Sequence, residues 1–316
     1  MKVYLDGKIV SEDEARLSAF DAGVQHGIGL FETMRAYHGK VFRLQQHIDR
    51  LITSAGELGL TNQLRAQPLA EAVELTLARN ELTEARIRLT ITGGDLSMLA
   101  AARSGKKPEV RPTVMIHVTE PTVYPPEHLT DGVMAVIADA KANPFDPLAS
   151  HKTMNYWARL SSLMQAAGAK AGEALWLTIT NHLCGGAVSN AMLVKQGQLF
   201  TPIVRGEEEL GALASPVLPG ITRAAAIECA SRLDIPVTRR MLTINDVLEA
   251  DELFLTNTSW LVLPVVKVEG KTIGDGKVGP VTMQMYEALT KLIHTECAPA
   301  PAPDAAGDPT DKTKEA

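Results

Sequence analysis

Three prolines, Pro121, Pro125 and Pro126, punctuate a short stretch that interrupts the chain before its midpoint. Proline fixes φ and removes a backbone donor, so neither a helix nor an inner strand continues through such a stretch. On each side the hydrophobic pattern is mixed. Before it, Lys2 to Val10 predicts two short strands around the turn dipeptide Asp6-Gly7. Leu44, Ile48, Leu51, Ile52, Ala55 and Leu58 recur at helical spacing, and a second helix is expected from Leu69 to Asn80. Arg86 to Thr92 alternates as a half-buried strand does, with Thr113 to Val118 as its partner. Phe31, Glu32 and Arg35 fall on another strand with alternating faces. Beyond the prolines, helices are expected at Tyr156 to Ala167, Thr222 to Leu233 and Met283 to His294. Strands are expected at Ala174 to Ile179 and Leu253 to Thr256, with a strand and turn over Leu193 to Thr201.

This pattern predicts an α+β chain of two domains. The 316 residues suffice for two cores. A small N-terminal α/β domain is expected over 1–122, a connection over 123–135 and a larger domain over 136–297. The Ala-Pro-rich 298–316 cannot build a core and reads as a disordered tail. A net charge of −6 argues against a general nucleic-acid surface. No apolar run approaches the roughly 18 residues of a membrane span, and Met1 to Gly7 turns polar too early for a secretory signal. Cys184, Cys229 and Cys297 are widely spaced, with neither zinc-ligand spacing nor a disulfide framework. The expectation is a cytoplasmic enzyme without a metal.

Lys152 sits among an imidazole, hydroxyl, amide and aromatic rings in Ser150-His151-Lys152-Thr153-Met154-Asn155-Tyr156-Trp157. A lysine amine whose pKa is depressed by burial or charge is a nucleophile, most often for a Schiff base; a lysine on the surface is only a solvated charge. Pro216 to Arg223 carries a Pro-Gly turn opening into a helix, with Thr222 near its start. Such a start is an anion site or a plain cap. His47 and Arg50 share a helix face, and arginine's forked donors suit a phosphate or a carboxylate. Thr256-Asn257-Thr258-Ser259 follows a strand and reads equally as a turn or a polar cradle. The glycines of Asp21 to Thr33 do not have the dinucleotide-binding spacing. His151 reads as either a core histidine or a site residue.

In their order, these runs resemble the class IV aminotransferases, the fold-type-IV pyridoxal-phosphate enzymes. That group includes branched-chain aminotransferases, D-amino-acid aminotransferases and aminodeoxychorismate lyases. The matching runs include Tyr4-Leu5-Asp6-Gly7, Gly29 to Arg35, His47 to Leu51, His151 to Tyr156, Ser189-Asn190, Leu218 to Arg223 and Asp251 to Thr256. The resemblance implies a small α/β sandwich domain, a larger mixed pseudo-barrel domain that binds the cofactor, and a homodimer. It implies that Lys152 holds pyridoxal 5'-phosphate and moves the proton at the substrate Cα. Arg50, the amides of Ile221 and Thr222, and Thr258 or Ser259 would hold the phosphate, with Ser189 and Asn190 beside the cofactor. Phe31, Arg35 and Arg88 would lie near the substrate. The implied reaction moves an amino group between an amino acid, of branched-chain type, and a 2-oxo acid.

One position departs from that pattern. The family places a glutamate against the pyridine nitrogen, and the ungapped alignment from Glu173-Ala174-Leu175 to Ser189-Asn190 puts Gly185 there. A carboxylate keeps the ring nitrogen protonated and the ring electron-poor; glycine cannot. On an extended strand His182 and Cys184 would face away from the side residue 185 takes. Two alternatives follow: an aminodeoxychorismate lyase releasing pyruvate, suggested by Phe31-Glu32-Thr33 and Leu255 to Thr258, or a cofactor-binding member with weak catalysis.

Overall fold

Asp6 and Gly7 both take positive φ, 45° and 89°, the turn geometry that matches the twist of a two-residue hairpin. They join β1 (Lys2–Leu5) to β2 (Lys8–Ser11). The computed structural model describes residues 1–95, 103–105 and 111–299; all of the expected tail beyond Pro299 lies outside these. With β3 (Gly29–Tyr37), β4 (Lys40–Val41), β5 (Ala85–Thr92) and β6 (Val114–Thr119), the hairpin forms an antiparallel sheet ordered β2-β1-β6-β5-β3-β4. A short helix α1 (Ala22–His26) precedes β3, while α2 (Leu44–Glu57) and α3 (Ala66–Arg79) cover one face of the sheet. Ile48, Leu51 and Ala55 of α2 and Leu69, Val73 and Leu77 of α3 are buried against Met34, Ile87, Leu89 and Ile91. The alternation of β5 therefore leaves Arg86 and Arg88 together on the opposite face.

The rest of the described chain builds a second sheet. Its elements are α4 (Glu127–Thr130), β7 (Val133–Ala142), α5 (Trp157–Gly168), β8 (Glu173–Thr178), β9 (Leu183–Gly186), β10 (Asn190–Lys195), β11 (Gln198–Thr201), α6 (Ile221–Arg232), β12 (Val237–Arg239), α7 (Ile244–Leu248), β13 (Glu252–Asn257), β14 (Leu261–Val268), β15 (Lys271–Thr272) and α8 (Pro280–Glu296). The order is β12-β11-β10-β13-β14-β7-β8-β9, with β15 beside β14. β7 lies parallel to β14 and β8, and β11 to β12; the other pairings are antiparallel. β9 ends this row, yet only residues 187–189 separate it from β10. A link that short forces the strands from β10 to β9 to curl round until Gly186 N–H donates to Ser189 O at 2.9 Å. Leu175, Leu183, Leu193, Leu255 and Val265 fill the curl. α6 and α8 pack outside it on Met192 and Phe254, and Ala166 of α5 packs on Ala138 and Trp176.

The structure contains elements beyond those expected, and three differences shape the second sheet. Leu193 to Thr201 is a complete hairpin, β10 and β11, rather than a strand and turn. The stretch 123–135 contains α4 and the start of β7. Neither β7 nor β14 was expected, since Val133 to Ala138 and Leu261 to Val266 are nearly continuous apolar runs without alternation. Among the described residues no helix is long and apolar enough to cross a membrane.

Candidate active site

The segment that carries Lys152 is tied to the edge of the first sheet. Phe31 N–H donates to Lys152 O at 2.9 Å and Met154 N–H to Gly29 O at 2.9 Å. A Cβ on Gly29 would stand 2.5 Å from Met154 Sδ and 2.6 Å from Ile91 O, so only glycine allows this approach. The lysine side chain points into a cavity of about 490 Å³ between the two sheets. Its Nζ lies 4.5 Å from the Phe31 ring centre and 5.7 Å from that of Tyr156. Burial lowers the Lys152 pKa to about 7, helped by Arg50, Arg159 and Arg88 and opposed by Glu32. A sizeable fraction of the amine is thus neutral at pH 7, where a solvated lysine is almost wholly protonated.

Glu32, on β3, is 1% exposed. Arg50 Nε and Nη2 donate to its two oxygens at 2.8 and 2.6 Å, and His47 Nδ1 lies 2.8 Å from Oε2. Burial alone would raise the Glu32 pKa; the Arg50 charge and the His47 hydrogen bond outweigh it and bring the value to about 2. Burial also lowers the pKa of His47, so a neutral His47 donates Nδ1–H to the carboxylate. Arg50 Nη1 reaches across to Pro219 O at 2.8 Å. These bonds use three of its five N–H donors and leave two.

Pro219 belongs to the turn that opens α6. Asn190 Nδ2 donates to Leu218 O at 2.9 Å, and a Cβ on Gly220 would collide with Asn190 Oδ1. Side chain and glycine together fix the angle at which α6 begins. No side chain caps this helix, so the first amides, of Ile221 and Thr222, have no partner within it. They face the cavity beside Arg50, an arrangement suited to a phosphate. Thr256 Oγ1 is buried without a hydrogen-bond partner and also lines the cavity. Asn257 Oδ1 accepts from Ser259 N and Trp260 N at 2.8 and 3.1 Å, which shapes the turn bearing Thr258 and Ser259.

Lys152, Arg50, Ser189, Asn190, Ile221, Thr222, Thr258, Ser259, Phe31 and Arg88 all line this one cavity. Arg35 does not. Its Nη1 donates to Ser259 O at 3.1 Å, so it braces the turn from outside. Ser189 Oγ donates to buried Glu173 at 2.9 Å. His151 lies outside the cavity as a packed histidine, with Nδ1 3.0 Å from Ser54 Oγ and Nε2 3.6 Å from Glu57. Arg223 clamps Glu207 at 2.9 and 2.8 Å.

Sequence reasoning missed Arg86, Tyr156, Arg159 and Cys184, which also line the cavity. Arg86 was legible as the neighbour of Arg88 two places along an alternating strand. Cys184 was expected to face away. The register of β8 and β9 shifts between Trp176 and Leu177, pairing Leu177 with Leu183 and Trp176 with Gly185, so Cys184 is an extra residue. Such a bulge re-aims side chains. Cys184 and Gly186 line the cavity, and Gly185 is not among its lining residues.

The family model for amino-transferase class IV matches residues 29–268. The chain belongs to the class IV aminotransferases. It is 36% identical over 295 residues, 92% of this chain and 96% of the relative, to a protein of Methanocaldococcus jannaschii provisionally named a branched-chain-amino-acid aminotransferase. It is 31% identical to D-alanine aminotransferase of Staphylococcus haemolyticus, covering 93% of this chain and 98% of that one. The crystal structure of Escherichia coli branched-chain amino acid aminotransferase superposes with a TM-score of 0.83 at 28% identity, covering 97% of each chain. The T.th. branched-chain amino acid aminotransferase with pyridoxamine 5'-phosphate gives 0.83 at 26% identity, over 94% of this chain and 95% of that one. The two sheets are those of this α+β fold, an antiparallel sheet domain and a curled mixed half-barrel. Class IV aminotransferases are pyridoxal-phosphate enzymes, and the donors found here fit that cofactor. The free amides at α6, the spare Arg50 donors and the orphaned Thr256 hydroxyl suit its phosphate, and the neutral amine suits its aldehyde.

Glu32→Ala leaves Arg50 buried and unpaired, and is expected to cost about 3–5 kcal/mol in urea unfolding. A loss below about 1 kcal/mol would contradict the ion pair described. The Glu32 contribution is present above its unfolded pKa and disappears only as the pH falls through about 2. For Lys152, competitive acetylation read by peptide mass spectrometry should show reactivity rising with pH to a plateau, with a midpoint near 7. A midpoint near the ~10.4 of a solvated lysine would refute its burial.

Proposed function

We propose that this protein is a pyridoxal-phosphate-dependent aminotransferase that moves an amino group between a branched-chain-type amino acid and a 2-oxo acid. The observation that carries this is the Lys152 amine, held near pKa 7 in a cavity whose other wall is the uncapped start of α6 beside Arg50. When bound, the cofactor supplies an aldehyde carbon for the lysine and a ring that draws electrons from the substrate Cα. Lys152 would be its attachment point and, once free, would carry the proton from the substrate Cα to the carbon that bore the aldehyde. Arg50, the amides of Ile221 and Thr222, and the hydroxyl of Thr258 or Ser259 would hold the phosphate.

Arg86 and Arg88 offer guanidinium groups to a substrate carboxylate. Arg88 lies 3.6 Å over the Phe31 ring, and among the described residues neither has a carboxylate within 4.0 Å. The branched-chain assignment is supported by the names of the M. jannaschii relative and the E. coli structure. A homodimer is the companion proposal. Trp157, Leu160 and Met164 stand 83%, 50% and 75% exposed on one face of α5, more apolar surface than one helix normally shows to water. The buried, unpaired Cys184, Cys229 and Cys297 are in keeping with a cytoplasmic setting.

The test is an amino-donor screen of the protein loaded with pyridoxal phosphate, with 2-oxoglutarate as acceptor. Leucine, isoleucine and valine are expected to yield glutamate faster than D-alanine, and Lys152→Ala to lose at least about 10³-fold in rate. Faster transfer from D-alanine would overturn the substrate assignment. Pyruvate released from aminodeoxychorismate, with no transfer to 2-oxoglutarate, would establish the lyase reading instead.

A further inference from the structure

Among the described residues no aspartate or glutamate lines the cavity, whereas Arg50, Arg86, Arg88, Lys152 and Arg159 all do. Glu32 is screened behind Arg50 and His47. Glu173 is the other acid nearby, and it is wholly buried behind the turn that joins β9 to β10. Its oxygens accept the amides of Ala174, Ala187 and Val188 at 2.9, 3.2 and 3.4 Å, and the Ser189 hydroxyl at 2.9 Å. That carboxylate is occupied in holding the turn shut.

The backbone bars a replacement at residue 185. Gly185 has φ 140°, and a Cβ there would stand 2.5 Å from Ser189 O and 3.3 Å from Asn190 Cα. A glutamate cannot be accommodated without opening the β9–β10 turn. The groups this wall does present are proton donors. Arg159 Nη1 donates to Ala187 O at 2.7 Å and contacts Gly186 O at 3.4 Å, with its guanidinium 4.7 Å over the Trp176 ring. Beside it Cys184 is 7% exposed, and burial pushes its thiol up to about 12, so it keeps its proton.

We propose that this chain holds pyridoxal phosphate with its ring nitrogen unprotonated, accepting from the Arg159 and Cys184 wall rather than donating to a carboxylate. The proposal rests on the cofactor assignment above. The pyridine nitrogen is para to the carbon bearing the aldehyde, so it points away from Lys152, and every charged side chain lining the cavity is cationic. A proton on the nitrogen would add one more positive charge to that set, which neighbouring cations disfavour. The ring then draws electrons less strongly, and more of the work at the substrate Cα falls to Lys152.

The experiment loads the protein with pyridoxal 5'-phosphate labelled with ¹⁵N in the ring and records the nitrogen resonance at pH 7. Uptake is checked first by absorbance. The expected result is the resonance of a neutral pyridine. Arg159→Glu and Cys184→Asp, which place a carboxylate on this wall, are expected to move it towards the pyridinium position. A pyridinium resonance in the fully loaded natural protein overturns the proposal while leaving the cofactor assignment intact. Failure to take up the cofactor overturns both. A loaded, folded pair of variants that both keep the neutral resonance overturns the role given to Arg159 and Cys184.

Discussion

The buried carboxylate of Glu32 is the point on which the site depends. It gathers His47 and Arg50 from α2, and Arg50 then grips Pro219 in the other half of the molecule. Desolvating such a set is costly and is compensated only by close geometry. What the set fixes is geometry: the uncapped start of α6 is held at one place relative to the sheet that positions Lys152. The bonds from Phe31 to Lys152 O and from Met154 to Gly29 O tie the nucleophile to that same strand, β3. One strand thus references both ends of the cavity.

A second constraint comes from closing the curled sheet. Three residues must carry the chain from β9 to β10, and the buried Glu173 carboxylate accepts the Ala187 and Val188 amides of that turn. The turn has room only for glycine at positions 185 and 186, where a Cβ would run into Ser189 O and Ser189 Oγ respectively. The exclusion of a side chain at residue 185 is therefore built into the backbone.

Much of this was legible in the sequence. The stripe from Leu44 to Leu58 gave α2 its buried face, and the Pro-Gly turn before Thr222 marked the start of α6, because helical periodicity and turn chemistry are local. What failed depended on neighbours. β7 and β14 are buried on both faces and carry no alternation to detect. Cys184 faces the cavity because the bulge inserts one residue into β9, a register event that no single-strand pattern contains. Arg35 shares the sequence signature of a pocket residue but spends its donor on Ser259 O. Glu32 gave no sign of its role, which exists only once α2 folds against β3.

Among the lysines of the described residues, Lys152 is the one whose amine pKa is lowered to about 7 by burial. Reduction of the pyridoxal-phosphate-loaded protein with borohydride, followed by peptide mapping, tests this directly. One stoichiometric adduct is expected, on Lys152. An adduct on another lysine, or a label spread across surface lysines with Lys152 unmodified, would contradict it.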